Sequence, residues 1–112
     1  MMMKLEPSEK RWLKEFRREL ARQFPGQIER LSVYGSKARG DSHQDSDLDV
    51  LLIVKDTASR LKTRMRRVGY LLAAEGRAVP SILAFTHQEW TQRGHRGSPF
   101  RKAVERDEVR VL

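Results

Sequence analysis

The sequence predicts an α+β fold, a small mixed β-sheet with helices packed against it. Three observations lead there. Apolar residues recur at helical spacing in two long segments, near residues 9–22 and 57–75. Short strand-like runs lie between and after them, in the order helix, strand, strand, helix, strand, helix, strand. One of those runs, Asp47 to Val54, is apolar on both faces beyond Asp49, as in a central strand covered on two sides.

Ser8 is placed to cap a helix beginning at Glu9. Trp12, Phe16 and Leu20 recur every four residues with Leu13 beside them, one apolar stripe, while Lys10, Lys14, Arg17, Arg18 and Arg22 take the other faces. The helix is expected to end before Pro25-Gly26. Ile28 to Tyr34 reads as a strand, with Leu31 and Val33 on one side and Ser32 and Tyr34 on the other. A turn follows at Gly35-Ser36, then a short helix or turn over Lys37 to Asp41, then the loop "GDSHQDS". The second long helix is expected over Thr57 to Glu75, with Leu61, Met65, Val68 and Leu72 inward, Gly76 as its stop, and Arg60, Lys62, Arg64, Arg66 and Arg67 outward. Val79 to Phe85 reads as a third strand. Thr86 and Glu89 have capping-box spacing for a short helix through Trp90. Arg93 to Ser98, "RGHRGS", reads as a flexible loop. Ser98-Pro99 suits a cap and first-turn proline, and Val109 to Leu112 suggests a closing strand.

A chain of 112 residues is sized for a single domain, 1–112, and 38% hydrophobic residues suffice for one core. The absence of cysteine excludes a disulfide framework and a cysteine-ligated zinc site, and fits a reducing compartment. A formal net charge of +8, mostly from arginine, points to an acidic partner: nucleic acid, a nucleotide or an acidic protein face. The first residues lack the pattern of a secretory signal, and no run approaches the roughly 20 apolar residues of a membrane span, so a soluble, cytoplasmic protein is expected.

The chemistry concentrates at Asp47 and Asp49. Residues two apart in a strand share a face, with Cα atoms about 6–7 Å apart, so the two carboxylates can converge. They repel each other and resist burial unless a cation joins them, and oxygen-only ligands favour Mg²⁺ or Mn²⁺. An Asp-x-Asp alone equally fits solvated loop residues. The upstream Gly35-Ser36 turn sharpens the pattern, because glycine lets backbone approach a ligand and a serine hydroxyl with neighbouring N–H groups can bind phosphate oxygens. Lys37 and Arg39 add positive charge. The histidines give no metal-ligand spacing: His43 lies in the loop between serine and aspartates as an exposed residue within reach of phosphate, His87 in a first helical turn, and His95 in a basic loop.

Gly35-Ser36, ten intervening residues, then Asp47-Leu48-Asp49, "GSKARGDSHQDSDLD", resembles the signature of the DNA polymerase beta-like nucleotidyltransferase superfamily, and "GSKARG" with the small size resembles its minimal branch. The resemblance covers most of the chain, with the late "SPFRKAVERDEVRVL" similar to the end of minimal domains. It implies that Gly35, Ser36, Lys37 and Arg39 bind a nucleoside triphosphate, ATP, and that Asp47 and Asp49 are catalytic ligands of Mg²⁺ (or Mn²⁺). An acceptor hydroxyl would attack the α-phosphorus and release pyrophosphate. One departure stands out: active members carry a third carboxylate on a later strand, and "AVPSILAF" has none, with Pro80 or Ser81 at the expected place and Glu75 and Glu89 outside the strand.

Three functions follow from the resemblance. Stand-alone minimal domains resemble antitoxins encoded beside HEPN-domain ribonuclease toxins, transferring AMP to a tyrosine of the toxin within a hetero-oligomer. The missing acid favours instead a module that neutralises or tethers a partner protein by binding alone. The positive charge favours a nucleic-acid nucleotidyltransferase subunit, without the aromatic-basic interleaving of a base-stacking platform.

Overall fold

The computed structural model describes residues 3–41 and 46–112. Its elements are α1 (Pro7–Gln23), β1 (Ile28–Tyr34), α2 (Gly35–Arg39), β2 (Leu48–Val54), a 3-10 helix (Asp56–Leu61), α3 (Lys62–Ala74), β3 (Pro80–Thr86), α4 (His87–His95), α5 (Pro99–Asp107) and β4 (Val109–Arg110). The mixed sheet has strand order β3-β2-β1-β4. β1 pairs antiparallel with β2 and β4, and β3 joins β2 in parallel through the α3 crossover.

Alternation along β2 divides the core. Leu48, Val50, Leu52 and Val54 join Leu31, Val33 and Ile82 beneath α1 and α3. Leu51 and Ile53 point the other way, to Trp90 and Val104, with Tyr34, Phe85 and Phe100 packed alongside. The expected two-sided cover of β2 is therefore present. α1 seats Trp12, Phe16 and Leu20 in the first layer, with the Trp12 and Phe16 rings stacked 5.0 Å apart. Each such side chain contributes roughly 1.5–3 kcal/mol by leaving water. α1 and α3 meet closely at Gly69: its carbonyl accepts from Trp12 Nε1 at 2.8 Å, and a Cβ there would lie 2.5 Å from Ile82 Cδ1.

Several boundaries differ from expectation. α1 begins at Pro7, because Glu9 reaches back to accept from the Glu6 N–H at 2.8 Å; Ser8 lies inside the first turn and is not its cap. The expected helix over Thr57 to Glu75 is divided into the 3-10 helix and α3. Asp56 anchors that 3-10 turn by accepting from the Gln88 N–H at 2.8 Å. The Thr86–Glu89 capping box is formed, but α4 continues past Trp90 to His95, so half of the expected loop at Arg93–Ser98 is helical. Ser98 caps α5, accepting from the Arg101 N–H at 3.2 Å. β3 is an edge strand whose outer side is covered by α3 side chains: the Ile82 N–H donates to the Tyr70 hydroxyl at 3.0 Å, and Lys62 pairs with Glu89 at 2.7 Å. Among the described residues no helix is long and apolar enough to cross a membrane.

Candidate active site

The site lies where β1 ends and β2 begins. Tyr34, the last residue of β1, stands opposite Asp49. Gly35 follows with φ 74°, a conformation that side-chain-bearing residues rarely adopt, and opens α2. A Cβ on Gly35 would lie 2.5 Å from Asp49 Oδ2. The first turn of α2 is thus pressed against that carboxylate, and only glycine fits. α2 begins two residues earlier than the Lys37-to-Asp41 helix or turn read from sequence. Its N-cap, Tyr34, supplies no side-chain hydrogen bond to the first-turn N–H groups. The Ser36 hydroxyl has no hydrogen-bond partner among the described residues.

Asp49 is half-buried, and among the described residues neither of its oxygens accepts a hydrogen bond. Burial, and then the neighbouring Asp47 charge, raise its pKa above the ordinary aspartate value, while Arg39 pulls it down. Asp47 is exposed and stands one residue before β2, not in the strand as expected, yet remains close enough to act on Asp49. Tyr34 is pushed up to about 12, chiefly by burial and then by Asp49 and Tyr70.

Of the two cations, Arg39 lies within electrostatic reach of Asp49 and is held by Asp107 at 2.9 Å and Asp41 at 3.1 Å. Lys37 is placed elsewhere. Its ammonium is buried and pairs with Glu9 at 3.2 Å, because the Lys37 side of α2 turns inward against α1. The structure therefore does not bring Lys37, expected at the nucleotide, together with the aspartates. On β3 the residue registered with Asp49 is Ser81, whereas Pro80 registers with Leu48. Ser81 therefore occupies the place beside the aspartates, and its hydroxyl has no partner among the described residues. Glu89 is engaged at the far end of β3, and Glu75 follows α3 on an exposed turn. His87 meets Glu29 at 2.9 Å, away from the aspartates, and His95 ends α4. His43 lies outside the described residues.

Sequence reasoning missed Tyr34 and Asp107. Tyr34 had a signal, its position directly before Gly35 on the face that faces Asp49. Asp107 had none, since it reaches Arg39 across 68 residues of chain.

An unpaired, half-buried carboxylate beside a second one, facing a glycine turn that a Cβ would fill, suits a hard divalent cation. Among the described residues no group of three or more acidic or histidine side chains could hold a metal. Of the described residues, Asp47 and Asp49 would hold such a cation, with water and phosphate oxygens completing the shell, as Mg²⁺ prefers.

A solved candidate minimal nucleotidyltransferase superposes with a TM-score of 0.60 at 26% identity, covering 96% of this chain and 95% of that one. A candidate nucleotidyltransferase from Sulfolobus solfataricus superposes with a TM-score of 0.55 at 25% identity, covering 89% and 76%. Two candidate protein adenylyltransferases of Methanocaldococcus jannaschii are similar over a shorter stretch. MJ0141 is 39% identical over 44 residues, 39% of this chain and 44% of its own length. MJ0604 is 37% identical over 46 residues, 41% of this chain and 46% of its own length. The match thus spans less than half of each of these relatives. Residues 13–107, which include every element from most of α1 to the end of α5, match the nucleotidyltransferase domain family, and the chain belongs to that family.

Proposed function

We propose that this domain transfers AMP from ATP to a hydroxyl group of a partner protein, and that the partner is a HEPN-domain ribonuclease modified on a tyrosine. The observation that carries the reading is Asp49: half-buried, unpaired among the described residues, next to Asp47, and in contact with the Gly35 backbone. Such a carboxylate is costly unless it serves a cation. The similarity to two candidate protein adenylyltransferases supports a protein acceptor.

In this reading Gly35 and Ser36 hold the phosphates through backbone N–H groups and the Ser36 hydroxyl. Arg39, fixed by Asp107, supplies positive charge at the rear of the site. The acceptor oxygen forms a bond to the α-phosphorus, the bond from that phosphorus to the bridging oxygen of the β-phosphate breaks, and pyrophosphate leaves. The hydroxyl proton passes to solvent or to a basic group of the acceptor. Asp47 and Asp49 would hold Mg²⁺ or Mn²⁺, which when bound offsets the charge developing on the phosphate oxygens. The chain's own share is positioning and electrostatics.

Ser81 favours a second reading. With a hydroxyl in register with Asp49 where a third carboxylate would serve, the domain would bind a triphosphate or a partner without efficient transfer. The two readings separate when the purified chain is incubated with ATP, Mg²⁺ and a co-encoded HEPN protein. The first predicts a mass gain of one AMP on the partner, on a tyrosine, that disappears with Asp49→Asn. A stable complex with no mass gain supports the second. ATP-dependent extension of RNA without a protein partner would contradict both.

A further inference from the structure

The outward face of α3 changes character along the helix. Its first half shows Arg64 and Arg67 to solvent. In its last two turns apolar side chains occupy both sides: Val68 and Leu72 pack on the core, while Tyr70, Leu71 and Ala74 face out. Tyr70 is 44% exposed, Leu71 58%, and Val79, just before β3, 61%. These are three of the four large hydrophobics left exposed among the described residues, so the exposure is concentrated here. A helix that is apolar on both sides normally has something packed on each. Arg67, Tyr70, Leu71 and Ala74 follow the i, i+3, i+4, i+7 pattern, a stripe of about 10 Å that matches the ridge another helix would meet.

The charge along α3 and the turn after it is mainly positive, while on the α1 side Glu19, paired with Arg22 at 2.8 Å, and Glu75 lie beside Leu71. Between Lys62 and Val79 the sequence carries Lys62, Arg64, Arg66, Arg67 and Arg77 against a single acid, Glu75. Arg67 and Arg77 are exposed without an ion pair among the described residues, and the buried Arg66 Nε has no acceptor there. The surface also borders the candidate active site. The Val79 carbonyl accepts from the Leu48 N–H at 3.0 Å, Tyr70 bonds Ile82, and between them Ser81 lies beside Asp49.

We propose that Arg67, Tyr70, Leu71 and Ala74, extended by Val79, form a dock for an acidic amphipathic helix of a partner protein. The apolar floor favours protein over the phosphate backbone of a nucleic acid, and the arginine rim selects acidic residues flanking the partner's apolar stripe. The dock stands on this surface alone. Where the transfer reading also holds, it sits at the end of β3 that carries the reaction, so that a docked protein presents its acceptor hydroxyl there.

The test needs no catalysis. The full chain, labelled for amide NMR, is titrated with a synthetic helical peptide bearing leucines at i, i+3, i+4 and i+7 and glutamates on either side. Amide shifts should centre on residues 64–79. Leu71→Glu and Arg67→Glu should each weaken binding about tenfold or more with an unchanged circular dichroism spectrum, and a peptide with its leucines scrambled should bind about tenfold less well. Shifts on another face, wild-type affinity in Leu71→Glu, equal binding of the scrambled peptide, or no binding at about 1 mM peptide would overturn the proposal. So would concentration-dependent self-association that Leu71→Glu abolishes, or a preference for single-stranded RNA over the peptide. Loss of AMP transfer with peptide binding intact would count against the transfer reading and leave the dock standing.

Discussion

Asp49 serves two opposed requirements. The fold half-buries it against Gly35 and Asp47, so its folded-state pKa lies above its unfolded value. The ionised form is therefore disfavoured by folding: above the raised pKa the native state carries a penalty, which is relieved as the pH falls and the carboxylate takes up a proton. Replacing Asp49 by Asn should raise the melting temperature at neutral pH, and a melting temperature that falls would contradict this. In the wild type, protons and a divalent cation compete for the same oxygens, so cation-dependent stabilisation, read from melts with and without Mg²⁺, should fade as the pH drops from about 7 to about 4. Lys37 makes the contrasting case. It was legible only as a cation beside a phosphate-binding turn, because its partner, Glu9, lies on α1 and nothing local announces the pair. Lys37→Met, which leaves the buried Glu9 carboxylate only its capping bond from the Glu6 N–H, should cost about 3–5 kcal/mol in urea unfolding, and adding Glu9→Leu should recover only part of that loss, because the cap at the start of α1 goes with it. A surface phosphate ligand would instead change stability by only a few tenths of a kcal/mol.

Elements fixed by local chemistry were legible in the sequence, and those fixed by distant partners were not. Thr86 and Glu89 stand three apart and form the expected reciprocal cap, with the Glu89 N–H donating to Thr86 Oγ1 at 3.1 Å. Thr86→Ala should cost about 1 kcal/mol by chemical denaturation, and a change of a few tenths would show the cap to be dispensable. Ile28 to Tyr34 matched β1 from end to end, because turns bound the run on both sides. The break between the 3-10 helix and α3 was not legible, since Asp56 finds its partner at Gln88, beyond the whole crossover. The site shows the same division. Gly35, Ser36 and the two aspartates are set by sequence-local turns and strand ends, whereas the support of Arg39 by Asp107 depends on α5 packing back against α2. Asp107 is held below the usual aspartate value, first by its hydrogen bond from Arg106 and also by that from Arg39. Its contribution is present above the unfolded-state pKa and is lost as the pH falls through the lower folded-state value, the opposite sign to Asp49. Asp107→Asn should accordingly lessen the acid sensitivity of the melting temperature, whereas an unaltered acid limb would show the pairing to contribute little.

At the scale of the whole molecule, one four-stranded sheet is covered on both faces, and the candidate site lies at the end where β1 hands over to α2 and β2 begins. The core that holds this end in place includes Phe16, whose ring is fully buried between sheet and helices, so Phe16→Ala should cost about 3–5 kcal/mol in equilibrium unfolding; a loss under about 1 kcal/mol would mean that α1 is not integral to the fold. In the reading proposed above, the aspartate pair and the glycine-serine turn together hold a triphosphate through a divalent cation. Calorimetric titration of the chain with a non-hydrolysable ATP analogue tests it most directly. Binding should require Mg²⁺ and should fall by about a hundredfold in both Asp47→Asn and Asp49→Asn. Equal affinity without Mg²⁺, or affinity unchanged in the two variants, would contradict it.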